Sequence, residues 1–167
     1  MNYGALLGFS LVAISLLFWT MGIDEKESTI PSLLSNIVTV GILIYSIIQY
    51  RDNQKNGFIS YGSAVKLGTT VAFFSSVIMA FYTFIHVSYL NPEALTVILN
   101  ETEQSILETQ PEISDEELDL ALSMTAKLMQ PHWMMIMGML AGTFMGFIYS
   151  LIISIFLRTK KLSENSN

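Results

Sequence analysis

Few side chains in this sequence could do chemistry. His86 and His132 are its two histidines, and Glu93 follows closely after the first. Two imidazoles and a carboxylate could bind zinc or relay protons near neutral pH, and an ionisable group inside an apolar stretch is a functional candidate by default. The plainer reading sets both histidines at a membrane interface beside Tyr82, Tyr89 and Trp133. It is preferred, and no metal site is assigned. Met134, Met135, Met137, Met139 and Met145 could hold copper(I) through their thioethers. Methionine is also an adaptable packing residue beside glycine. Cysteine is absent and no exposed loop is rich in methionine, which sets copper aside. There is no Gly-x-Ser-x-Gly elbow, no His-Glu-x-x-His pair and no phosphate loop. Neither a catalytic set nor a cofactor is expected.

What must position these residues is a membrane. Hydrophobic residues make up 51% of the 167 and charged residues 13%, where a soluble chain carries about 25% charged. Mean hydropathy is +0.51. The formal charge of −6 is uneven: residues 91–131 hold nine acids and only Lys127 as a base, a net −8, so the rest of the chain is +2. No basic stripe suits a phosphate backbone, so nucleic acid is not a partner.

Four uncharged or nearly uncharged stretches match the ~20 residues that cross a hydrocarbon core. They cover about 3–23, 32–50, 67–90 and 133–157. Cleavage of the first as a signal peptide fits poorly: no Lys or Arg precedes it, it is long, and no small-x-small site comes before Asp24. A short polar turn from Asp24 to Thr29, then Pro31, makes the first two spans an antiparallel hairpin. From Ser60 to Leu90 the chain stays helix-compatible for longer than a ~30 Å core needs, and Lys66 lies inside that length. A break near Gly68 is therefore expected. Residues 58–66 would form an interfacial amphipathic segment, with Lys66 reaching back to lipid phosphates.

Asn91-Pro92 ends the third span. The acidic insert, 91–131, reads as two amphipathic helices parted by Pro111. The first has an apolar face of Leu95, Ile98, Leu99 and Ile106. The second opens on a capping box, Ser114-x-x-Glu117, with Asp115, Glu116 and Glu117 where the helix dipole favours acids. Its apolar face is Leu118, Ala121, Leu122, Thr125, Leu128 and Met129. The tail, 162–167, is expected to be disordered.

Lys and Arg on short loops set orientation. Arg51, Lys55, Lys66, Arg158, Lys160 and Lys161 fall on one side and Lys26 and Lys127 on the other. Both termini are therefore expected in the cytoplasm, with the six basic groups on lipid headgroups and the acidic insert outside. In the fourth span Gly138, Gly142 and Gly146 share a helix face. Small residues let helices approach where hydrophobic burial cannot drive them together. The expected contact is internal, with Gly4-x-x-x-Gly8 of the first span; a homodimer seam is the sharper alternative and a pore lining the third.

The stretch Tyr50-Arg51-Asp52-Asn53, then Gly57-Phe58-Ile59-Ser60-Tyr61-Gly62, then Ala64, Lys66 and Gly68, resembles the signature of small membrane proteins of domain-of-unknown-function family 4199, found mainly in Bacteroidota. The resemblance extends from the first span to Lys161. It implies four spans with a polar helical insert between the third and fourth, and brings no activity or site residues. The chain is thus expected to be an all-α, multi-pass protein of a bacterial inner membrane. Its leading function is a non-enzymatic scaffold or accessory subunit with a membrane-protein partner or a second copy. A transporter or channel component is the alternative, disfavoured because no span has Asp, Glu, Lys or Arg at its middle. An intramembrane enzyme comes third.

Overall fold

The computed structural model describes residues 2–23 and 28–159. Residues 24–27 of the expected polar turn, with Lys26, and Lys160, Lys161 and residues 162–167, lie outside the described residues. The described residues contain helices and no strand: α1 (Asn2–Thr20), α2 (Ile30–Gln54), α3 (Tyr61–Ile85) running on into a π-helical turn (His86–Leu90), α4 (Ala94–Thr109), α5 (Asp115–Leu128) and α6 (Pro131–Leu157). Four are long and apolar enough to cross a membrane: α1, α2, α6, and α3 with its π turn. At 1.5 Å per residue the shortest, 19 residues, rises roughly 28 Å, close to a ~30 Å core.

Local chemistry sets the helix limits. Gly22, at φ +68°, closes α1, and the Ile23 N–H donates back to the Phe18 carbonyl at 3.0 Å, the bond of a left-handed C-terminal cap. Pro31 sits in the first turn of α2, where its missing N–H costs nothing. Beyond Gln54 the chain passes through Asn56 at φ +50° and Gly57 at φ +83°, and the Lys55 and Gly57 amides both donate to the Arg51 carbonyl. Gly57 is required there because a side chain is strained at positive φ.

The expected break near Gly68 is absent, and with it a third helix starting at Leu67. α3 starts at Tyr61 and passes through Gly68 unbroken; only residues 58–60 remain outside the helix. Two causes account for this. Ser60 caps the helix, its hydroxyl accepting the Ser63 N–H at 3.3 Å, and serine at that position satisfies an otherwise orphan donor. Gly68 serves as a contact point instead of a hinge: a β-carbon there would lie 2.9 Å from Ser150 Cβ on α6 and would meet its hydroxyl oxygen.

The chain divides into two compact units, Met1–Met79 with Met139–Asn167, and Ala80–Gly138. The core of the first is Leu7, Leu43, Ile47, Ile59, Ala64, Val71 and Ile153, drawn from α1, α2, α3, α6 and the α2–α3 linker. Tyr3 and Tyr45 meet edge to face at 5.9 Å between α1 and α2, and the Tyr149 hydroxyl of α6 donates to Asn36 Oδ1 of α2 at 2.6 Å.

In the second unit α4 and α5 pack together. The capping box forms as expected: Ser114 Oγ accepts from the Glu117 N–H and Glu117 accepts from the Ser114 N–H. The expected faces turn inward, with Leu95, Ile98, Leu99 and Ile106 on α4 and Leu118, Ala121, Leu122, Thr125 and Met129 on α5 all half-buried. Leu128 departs from that face and is exposed.

Candidate functional site

The glycines show how the first unit is assembled. Gly4 and Gly8 do not meet the glycines of α6. A β-carbon at Gly4 would stand 2.6 Å from Phe74 Cβ, and one at Gly8 would stand 2.8 Å from Ile78 Cβ, so both face α3. A β-carbon at Gly142 would approach Ser76 Cβ to 3.0 Å, and one at Gly146 would run into Ala72 Cβ. These also face α3, which therefore takes close backbone approaches from α1 and α6. Gly138 has nothing within 4 Å among the described residues, so the three α6 glycines do not act as one stripe. A helix that is apolar all round gives no facial signal of which neighbour a glycine meets.

Serines are buried in the same unit. Ser76 Oγ donates to the Phe73 carbonyl and shares a 2.8 Å hydrogen bond with Thr143 Oγ1 across α3 and α6. Ser46 and Ser150 are buried and bond to carbonyls of their own helices. Ser154 is fully buried and its hydroxyl has no partner among the described residues.

The basic end is tied together by a residue to which no motif points. Thr159 Oγ1 accepts the Ile59 N–H at 2.9 Å and donates to the Gly57 carbonyl at 3.1 Å, while the Thr159 N–H donates to the Ile59 carbonyl at 3.0 Å. The α2–α3 linker is thereby clipped to the chain leaving α6, which brings the Arg51–Lys55 stretch and Arg158 to one end of the unit. Arg51 is held by Asp52, Nε to Oδ1 at 2.7 Å, and Lys55 Nζ lies 5.9 Å from the centre of the Tyr50 ring, within cation–π range. Lys66 is exposed and has no carboxylate at ion-pair distance among the described residues.

Lys66 stands on a groove of about 540 Å³ between α3 and α6. Tyr61, Lys66, Thr69 and Phe73 supply one wall, and Thr143 and Phe147 the other. The Tyr61 hydroxyl spans the two helices, donating to the Leu151 carbonyl at 3.4 Å.

In the second unit the Tyr82 hydroxyl is 3.2 Å from His86 Nδ1, and the His132 ring lies 5.6 Å from that of Trp133. Among the described residues no three His, Asp or Glu side chains stand close enough together to hold a metal, so His86, His132 and Glu93 do not form a ligand set. A feature not foreseen is a second apolar stripe on α5, with Leu120, Met124 and Leu128 exposed by 61%, 57% and 56%. Its i, i+4, i+8 spacing was the signal available in the sequence.

A family model described as a protein of unknown function, DUF4199, matches residues 2–159. No curated protein and no solved structure matches the chain.

Proposed function

The chain belongs to the DUF4199 family, and since that membership carries no activity, we propose from the structure that it is a non-enzymatic scaffold or accessory subunit of a bacterial inner membrane, with the α4–α5 pair facing a partner protein. The stripe of Leu120, Met124 and Leu128 carries this reading. α5 already spends one apolar face on α4, so a second apolar row exposed on a strongly acidic insert has no use within its own helix pair. Unpaired apolar rows rimmed by polar groups mark interaction sites. Glu116 and Glu117 flank the row, which suits a partner groove with cations at its rim. The transporter alternative has the buried serines Ser46, Ser150 and Ser154 in its favour, but among the described residues no buried ionisable side chain accompanies them, as ion coupling usually demands.

A photo-crosslinking residue placed at Leu120 or Met124 in the native membrane should yield one discrete adduct of a second protein. The same residue at Asp119, roughly a quarter-turn away, should yield none. Adducts of equal strength from all three positions, or from none, would remove the partner-facing role.

Orientation is part of the proposal. The excess of basic residues around the Arg51–Gly57 linker supports a cytoplasmic linker and an acidic insert outside. An engineered cysteine at Asn53 should resist an impermeant thiol reagent in intact cells, while one at Glu103 should react. The opposite labelling would invert the protein.

A further inference from the structure

We propose that the α3–α6 groove is a binding site for one anionic phospholipid, with its phosphate on Lys66 and one acyl chain lying past Thr69 and Phe73 towards Phe147. Apart from Tyr61 and Lys66 the groove is lined by carbon and by threonine hydroxyls that already have partners: Thr69 and Thr70 donate to the Val65 and Lys66 carbonyls, and Thr143 is bonded to Ser76. Such a wall accepts a hydrocarbon chain and offers little to a polar solute. From Tyr61 to Phe73 the groove rises roughly 18 Å along α3, about the depth of one leaflet of a ~30 Å core. Its cation is at the correct end: side chains on a helix tilt towards its N-terminus, so the Lys66 stem leans towards Tyr61, the end clipped to the basic linker. Among the described residues no carboxylate stands at ion-pair distance to neutralise the ammonium. Gly62 opens the mouth beside it, with nothing among the described residues within 4 Å of the position a β-carbon would take. The Tyr61–Leu151 hydrogen bond holds the two walls at a fixed separation. One negative charge at the headgroup and one chain below it are what this arrangement complements.

The test uses the full-length protein in neutral detergent, titrated by native mass spectrometry with phosphatidylglycerol and with phosphatidylcholine of the same acyl chains. The first should bind about fivefold more tightly, the scale of one lysine near a lipid surface. Lys66→Gln should abolish that preference, whereas Lys127→Gln, on α5, should leave it intact. Thr70→Trp, at an exposed position on the groove, should weaken binding of both lipids while keeping the residual preference. Inorganic phosphate at the same concentration should not displace the lipid. A preference that survives Lys66→Gln, lipid binding unaffected by Thr70→Trp, or displacement by inorganic phosphate would each overturn the site.

Discussion

Gly146→Leu should destabilise the protein by about 1–3 kcal/mol, the usual cost of overpacking a filled interior, or a fall of roughly 2–10 °C in the thermal midpoint in detergent. Gly146 is buried, and the first atom added to it would run into Ala72 Cβ, with Ala72 Cα at 3.5 Å. Neither atom can swing aside, because one is backbone and the other is fixed to it. α3 and α6 must separate, and the separation strains the Ser76–Thr143 hydrogen bond one turn away. In lipid this loss is not repaid by hydrophobic burial elsewhere, since the acyl chains are as apolar as the side chains they touch. Gly138→Leu is the matched control. It lies on the same face by spacing, but a β-carbon there meets nothing within 4 Å among the described residues, and replacing a helical glycine is intrinsically favourable. Its midpoint should be unchanged or slightly raised. Equal losses at the two positions would mean that the helix, and not the α3 contact, is what glycine serves.

That pair of variants also shows where sequence reasoning stops. The spans were legible because length and apolarity alone define them, and the α4–α5 pair because an aqueous helix must sort its faces: Ser114, Glu117 and the half-buried leucines lie as the pattern predicts. Inside the spans that sorting disappears. Leu7 is buried and Phe144 exposed, yet both are apolar, since a lipid-facing position and a core position ask for the same chemistry. Glycine spacing therefore announced close packing without naming the neighbour. α3 was misjudged for a related reason: a charge at Lys66 argued for a break, while the Ser60 cap and the Gly68–Ser150 approach, which favour continuity, depend on atoms brought together only by folding. Thr159 was beyond reach altogether, because its partners lie 100 and 102 residues earlier.

Thr159→Val should release the α2–α3 linker. Valine keeps the shape and the backbone hydrogen bond to the Ile59 carbonyl, but removes the hydroxyl that accepts from the Ile59 N–H and donates to the Gly57 carbonyl. Ile59 is only 2% exposed, so its amide has no ready access to water once abandoned, and a buried donor left unpaired costs about 1–3 kcal/mol. The linker has little else to hold it: Asn56 and Gly57 are at positive φ, and residues 58–60 lie outside any helix. Local opening should therefore take the greater part of the effect, with the four spans intact. Hydrogen exchange of the Ile59 amide should accelerate about tenfold or more, the equivalent of some 1.4 kcal/mol, while core amides at Leu43 and Ile47 keep their protection. Thr159→Ser, which retains the hydroxyl, should exchange like the wild type. If the valine variant also exchanged like the wild type, the clip would be incidental, and the basic end would owe its geometry to the packing of Ile59 against Leu43, Ile47 and Ile153 alone.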